Sequence, residues 1–63
     1  MEDGLFYVVG EDVEGDIIED DFEGDLDSCV LECEKTLALA GGGHLDIFIV
    51  EDEHEVFVRD VEL

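Results

Sequence analysis

The chain has almost no positive charge. One Lys (Lys35) and one Arg (Arg59) stand against 21 acidic residues, for a net charge of −19 in 63 residues. That sign excludes direct binding of nucleic acid, whose phosphates it repels. Proline is absent, and glycines separate five strand-like or helical runs, the pattern of a folded domain. No window of about 20 apolar residues occurs, which excludes a membrane-spanning helix. Met1-Glu2-Asp3 lacks the basic start and apolar core of a signal peptide, so the expected compartment is the cytoplasm. Only two cysteines are present, Cys29 and Cys33. They lie one turn apart on one helix face, where the Cβ directions suit a bridge poorly, and reduced core thiols are expected.

Apolar residues make up 46% of the chain, enough for one layer of helix on one sheet. At this length one domain, residues 1–63, is expected, burying only about 60% of the surface the unfolded chain exposes. Its centre is the stretch from Asp25 to Ala40. Leu26, Cys29, Val30, Cys33, Leu37 and Ala40 fall on one stripe at about 100° per residue, with Thr36 at its edge. Asp27, Glu32, Glu34 and Lys35 lie off it. Asp25 suits an N-cap, since its carboxylate can accept from free N–H groups of the first turn. Gly41 suits the C-terminal stop, because it takes the left-handed conformation without a Cβ clash. Leu31 and Leu39 fit the stripe poorly, so one of them is expected to be exposed or covered by a loop or partner.

Leu5-Phe6-Tyr7-Val8-Val9 is aromatic and β-branched and reads as a strand that is buried on both sides or central. After the Gly10–Gly15 turn, Asp16–Asp20 reads as a short edge strand whose carboxylates discourage aggregation, and Asp21–Gly24 leads into the helix. His44–Val50 and Glu55–Val61 read as a hairpin with its tip at Asp52-Glu53. A two-residue loop pairs Glu51 with His54, Ile49 with Val56, Phe48 with Phe57, Ile47 with Val58 and Asp46 with Arg59. Pairs directly opposite share a face. Leu45, Ile47, Ile49, Val56 and Val58 then face the helix, while Phe48, Phe57 and Val61 lie on the other side with an Asp46–Arg59 ion pair. Glycine is usual in such a loop, so a longer loop with another register is the alternative. The expected fold is α+β: a single helix on a small, mainly antiparallel sheet, ββαββ, or βαββ if Ile17-Ile18 is not a strand. The Phe48/Phe57 face would be covered by a homodimer or other partner, or by the N-terminal segment.

Ten of the eighteen residues from Gly10 to Asp27 are acidic: Glu11, Asp12, Glu14, Asp16, Glu19, Asp20, Asp21, Glu23, Asp25 and Asp27. Glu51, Asp52, Glu53 and Glu55 surround the hairpin tip. A folded chain of this length is about 27 Å across, a span over which duplex DNA carries about 16 charges. Solubility would need a net charge of only about 2–8. Carboxylates two apart on a strand are about 6.6 Å from one another, a spacing able to imitate a phosphate row. These two clusters, with Phe48, Phe57 or Leu31 as apolar contacts, are the candidate partner-binding residues.

In size, charge and α/β make-up the whole chain resembles small phage-encoded acidic inhibitors, including those that block the histone-like nucleoid protein HU. The resemblance implies a host-takeover protein, a DNA mimic in the host cytoplasm that occupies the DNA-binding surface of a basic protein. It involves no motif and assigns no residue. Halophilic adaptation of a small accessory or structural protein is the alternative, since proteins from salt-saturated cytoplasm also carry many acids and few lysines. Weak calcium binding is a lesser one. Glu19–Gly24 imitates the start of an EF-hand loop, but its twelfth position is Val30, where a bidentate Glu is needed. Cys29, Cys33, His44 and His54 match no zinc spacing, and no metal or cofactor is expected. Gly41-Gly42-Gly43 lacks a P-loop lysine, and no Ser–His or Cys–His arrangement has local support. No enzyme activity is expected.

Overall fold

Two patterns of apolar spacing build the structure, a period of two in the strands and a period near 3.6 in the helix. The computed structural model describes residues 3–63. Strand β1 (Gly4–Asp12) and β2 (Ile17–Gly24) form one hairpin. Helix α1 (Leu26–Leu39) follows, and β3 (Gly43–Glu51) and β4 (His54–Glu62) form a second hairpin. The four strands make one antiparallel sheet in the order β2-β1-β3-β4, with α1 on one face. The fold is therefore α+β with the order ββαββ, and β1 is central as its composition implies.

The helix follows its stripe. Cys29, Cys33 and Leu37 are buried against Phe6, Val8, Leu45, Ile47 and Val61, with Leu26 and Val30 at the margin. Leu31 and Leu39 are both exposed. Asp25 caps the N-terminus, accepting from the Ser28 N–H at 3.3 Å and the Ser28 hydroxyl at 2.7 Å. The Ser28 hydroxyl holds the Asp25 carboxyl below its ordinary range. The cap's contribution to stability is thus present above that range and lost on acidification. At the C-terminus Gly41 takes φ +88°. The Gly41 N–H donates to Ala38 and the Gly42 N–H to Leu37, the paired bonds of a Schellman stop. Cys29 and Cys33 are free thiols inside the core.

Four expectations need correction. The turn is shorter than Gly10–Gly15, because β1 continues to Asp12 and pairs Gly10 with Ile18 and Glu11 with Ile17. Strand β2 does not end at Asp20 but continues through Asp21–Gly24, because Phe22 pairs with Phe6 and adds to the core margin. The β3–β4 register holds from Glu51↔His54 to Phe48↔Phe57 and then shifts. Val58 is the extra residue of a bulge, so Ile47 lies opposite Arg59 and Asp46 opposite Asp60. The Asp46–Arg59 ion pair is therefore absent, and the Arg59 Nε donates to the Asp60 carbonyl instead. Val61 is buried against the helix rather than placed on the open face. The cause is the three-residue spacing from Val58 to Val61. Strict alternation would bury Asp60 and expose Val61, and one extra residue reverses both.

The hairpin tip keeps its two-residue loop although it contains no glycine. Asp52 and Glu53 have φ +48° and +67°, both left-handed. Asp tolerates that region better than Glu. Glu53→Gly is therefore expected to stabilise the fold by about 0.5–1 kcal/mol, read as a higher urea midpoint with an unchanged m-value. A lower midpoint would show that the Glu53 side chain, rather than its backbone, holds the tip.

Candidate functional site

Helix α1 covers one side of the sheet, and the described residues leave the other open. The registers place Leu5, Tyr7, Val9 and Glu11 of β1 on that open face, beside Glu23, Asp21, Glu19 and Ile17 of β2. On the other side of β1 lie Phe48, Asp46 and His44 of β3, facing Phe57, Asp60 and Glu62 of β4. Strand β1 is apolar on both faces, and this is why the open face has an apolar centre. Tyr7, Phe48 and Phe57 run across three neighbouring strands as one aromatic row. Tyr7 and Phe48 have ring centroids 6.2 Å apart, and Phe48 and Phe57 meet edge to face at 5.7 Å. Phe57 is 56% exposed.

Carboxylates border this row on both edge strands. Glu19, Asp21 and Glu23 alternate along β2, about 6.6 Å apart. Glu55, Asp60 and Glu62 line β4, with Asp46 and Glu11 between the edges. The His44 imidazole is the one basic side chain placed among them, with Nε2 3.0 Å from Asp46 and 3.6 Å from Asp60. The Tyr7 hydroxyl donates to Glu19. That bond, with burial and the nearby charges of Glu19, Glu55 and Asp21, pushes the Tyr7 pKa up to about 12. The structure is 34 Å in its longest dimension, over which duplex DNA carries about 20 charges.

The candidate residues fall into several places. Glu11, Glu19, Asp21, Glu23 and Glu55 join Phe48 and Phe57 on the open face. Asp12 ends β1 and Glu14 and Asp16 belong to the β1–β2 turn, where the Asp12 carboxylate accepts from the Glu14 and Asp16 N–H groups at 2.9 and 3.0 Å. Glu51, Asp52 and Glu53 project at the hairpin tip, at one end of the sheet. Asp20 points to the helix side of β2, and Asp27 is exposed on the first helical turn. Asp25 is engaged as the N-cap. Leu5, Tyr7, Val9, Asp60 and Glu62 are members of the face that sequence patterning did not single out. The two-residue alternation of β1 placed Tyr7 opposite Phe6 and Val8, a usable signal. Asp60 and Glu62 depended on the bulge. Met1 and Glu2, which begin the N-terminal segment expected as an alternative cover, lie outside the described residues.

Away from this face, burial pushes both core thiols up, that of Cys33 to about 12. Among the described residues no three His, Cys, Asp or Glu side chains converge on a point suited to a metal ion. No helix of the described residues is long and apolar enough to cross a membrane.

Tyr7 is the only tyrosine, so its ionisation reports on this face directly. Its folded-state pKa lies above the ordinary 10.0. The linked stability is fully present below pH 10 and is lost as pH rises toward about 12. An ultraviolet tyrosinate titration should show a midpoint well above 10.0 in the native protein, and Glu19→Gln should lower it. Identical midpoints in the two proteins would rule out the Tyr7–Glu19 contact as the cause.

In comparisons with known proteins the chain matches no protein-family model, no curated protein and no solved structure.

Proposed function

We propose that this protein is a DNA mimic. It binds a basic DNA-binding protein and blocks the surface that protein uses for DNA, and a bacterial histone-like nucleoid protein is the first target to test. The observation that supports this most is the open sheet face, where an aromatic row of half-buried Tyr7 and Phe48 and exposed Phe57 is bordered by carboxylates on both edge strands. Fixed carboxylates at near-phosphate spacing attract a surface built for a phosphate backbone and displace its counterions. Charge of this kind raises the rate of encounter and sets the salt dependence more than it raises affinity. Phe48 and Phe57 supply the contact that charge alone does not, since aromatic anchors at the centre of an interface hold most of its energy. The hairpin-tip acids and those of the β1–β2 turn extend the field beyond the face and steer the partner from a distance.

The test is displacement of labelled duplex DNA from a purified histone-like nucleoid protein, repeated across a salt series. The chain should release DNA in proportion to its concentration, and its affinity should fall steeply between about 0.05 and 0.2 M salt. Replacing Glu19, Asp21, Glu55 and Asp60 together by their amides should weaken binding about fourfold or more and flatten the salt slope, at about 0.2–1 kcal/mol per exposed pair. Phe57→Ala should weaken it at every salt concentration with the slope unchanged. Affinity unaffected by either set would remove this face from the interaction. Amides at Glu51, Asp52 and Glu53 should change the association rate more than the lifetime of the complex.

Salt adaptation makes a different prediction for the same protein. A halophilic chain should be largely unfolded at about 0.1 M salt, where charges interact over about 10 Å, and should fold near about 2 M. Circular dichroism across that range separates the two. A folded chain at about 0.1 M supports the mimic.

A further inference from the structure

The open face is not the only unpartnered part of the sheet. Among the described residues strand β2 pairs with β1 alone, so its outer edge presents backbone groups that no described strand engages. The Asp21 N–H marks the direction of that edge, since it donates to the Asp20 carboxylate at 2.8 Å instead of to a neighbouring strand. In an antiparallel strand, N–H and C=O groups point the same way at every second residue. The Glu19 and Glu23 backbones therefore face the same open edge. Below it, on the helix side, a slot opens between β2 and α1. Ile18, Phe22, Cys29 and Cys33 line its apolar part, with Asp20 and Glu32 at the sides.

We infer that the β2 edge is a docking site for an extended cationic segment of another protein, which adds to the sheet as a fifth strand. Three features on three sides of β2 define the occupant. The edge supplies main-chain hydrogen bonds, as in strand addition generally. The open-face side carries Glu19, Asp21 and Glu23 at alternate positions, matching Lys or Arg at every second residue of the incoming strand. The helix side offers the slot, which suits small apolar side chains at the positions between. The segment thus alternates cationic and apolar residues. As it docks, the Asp20 carboxylate releases the Asp21 N–H to the new ladder and remains at the side of the slot.

Charge decides against the obvious competitor, a second copy of this chain. Two β2 edges would set Glu19, Asp20, Asp21 and Glu23 against the same residues, and like charges directly opposite are destabilising. The other edge, β4, is interrupted by the bulge at Val58, a feature that discourages strand addition. The β2 edge would take such a segment whether or not the open face binds a DNA-binding protein.

The probe is a short end-blocked peptide of alternating lysine and valine, titrated into the isotopically labelled chain at about 0.01 M salt, where screening is weakest. Two controls have the same composition and charge: one is methylated at every backbone nitrogen, and one has its lysines and valines in two blocks. The alternating peptide should bind about tenfold or more tightly than either, because only it offers both ladder donors and the matched faces. Amide signals of Glu19, Asp21 and Glu23 should shift, and hydrogen exchange at Glu19 and Glu23 should slow. Equal binding of all three peptides would show attraction by charge alone and would overturn the inference. So would an absence of binding, or shifts confined to β4 and the hairpin tip.

Discussion

Everything in this molecule hangs on one thin apolar layer between α1 and the sheet. Cys29, Cys33 and Leu37 on one side meet Phe6, Val8, Leu45, Ile47 and Val61 on the other. This contact must hold 21 acidic residues in one small body, and self-repulsion acts against it. The described part of the core contains no polar or charged residue, as it must, since an unpaired buried carboxylate would cost more than so small a core supplies. The acids are thereby confined to the edges, the turns, the outer side of the helix and the open sheet face.

The single helix also makes the sheet asymmetric, with one face packed and one open among the described residues. A sheet with helices on both faces would bury Tyr7, Phe48 and Phe57. With one helix, nothing among the described residues covers the second apolar face of β1, and Phe57 at the end of the aromatic row is exposed. Carboxylates on β2 and β4 border this patch, and like charges brought together oppose one another. The two edge strands are protected by different means: β4 by a bulge, β2 by charge. A bulge obstructs any incoming strand. Charge obstructs only strands of like sign.

Much of the fold was legible because its determinants are local. The stripe from Leu26 to Ala40, the Asp25 cap and the Gly41 stop each rest on residues within a turn or two of one another, and the structure follows all three. The hairpin was legible near its tip, where Glu51↔His54 and Phe48↔Phe57 are set by loop length. It was misread beyond Phe57, although the three-residue gap between Val58 and Val61 already conflicted with strict alternation. The far half of β2 was missed because Asp21, Glu23 and Gly24 have poor strand propensity. Pairing with β1 overrides that preference, as tertiary context commonly does.

The sequence by itself determined the α+β class, the helix stripe and the excess of negative charge, and it narrowed the order of elements to ββαββ or βαββ. These follow from composition and short-range periodicity, which every segment expresses without its neighbours. The strand order β2-β1-β3-β4, the bulge and the membership of the open face were decided only by the tertiary structure. Each depends on which strands become neighbours, and that is set by how the two hairpins share one helix. Tyr7 meets Phe48 across 41 residues of chain, and Asp60 comes beside Asp46 only after one extra residue has shifted the phase of β4. Periodicity places a side chain on one of two faces, and the long-range pairing then chooses its company.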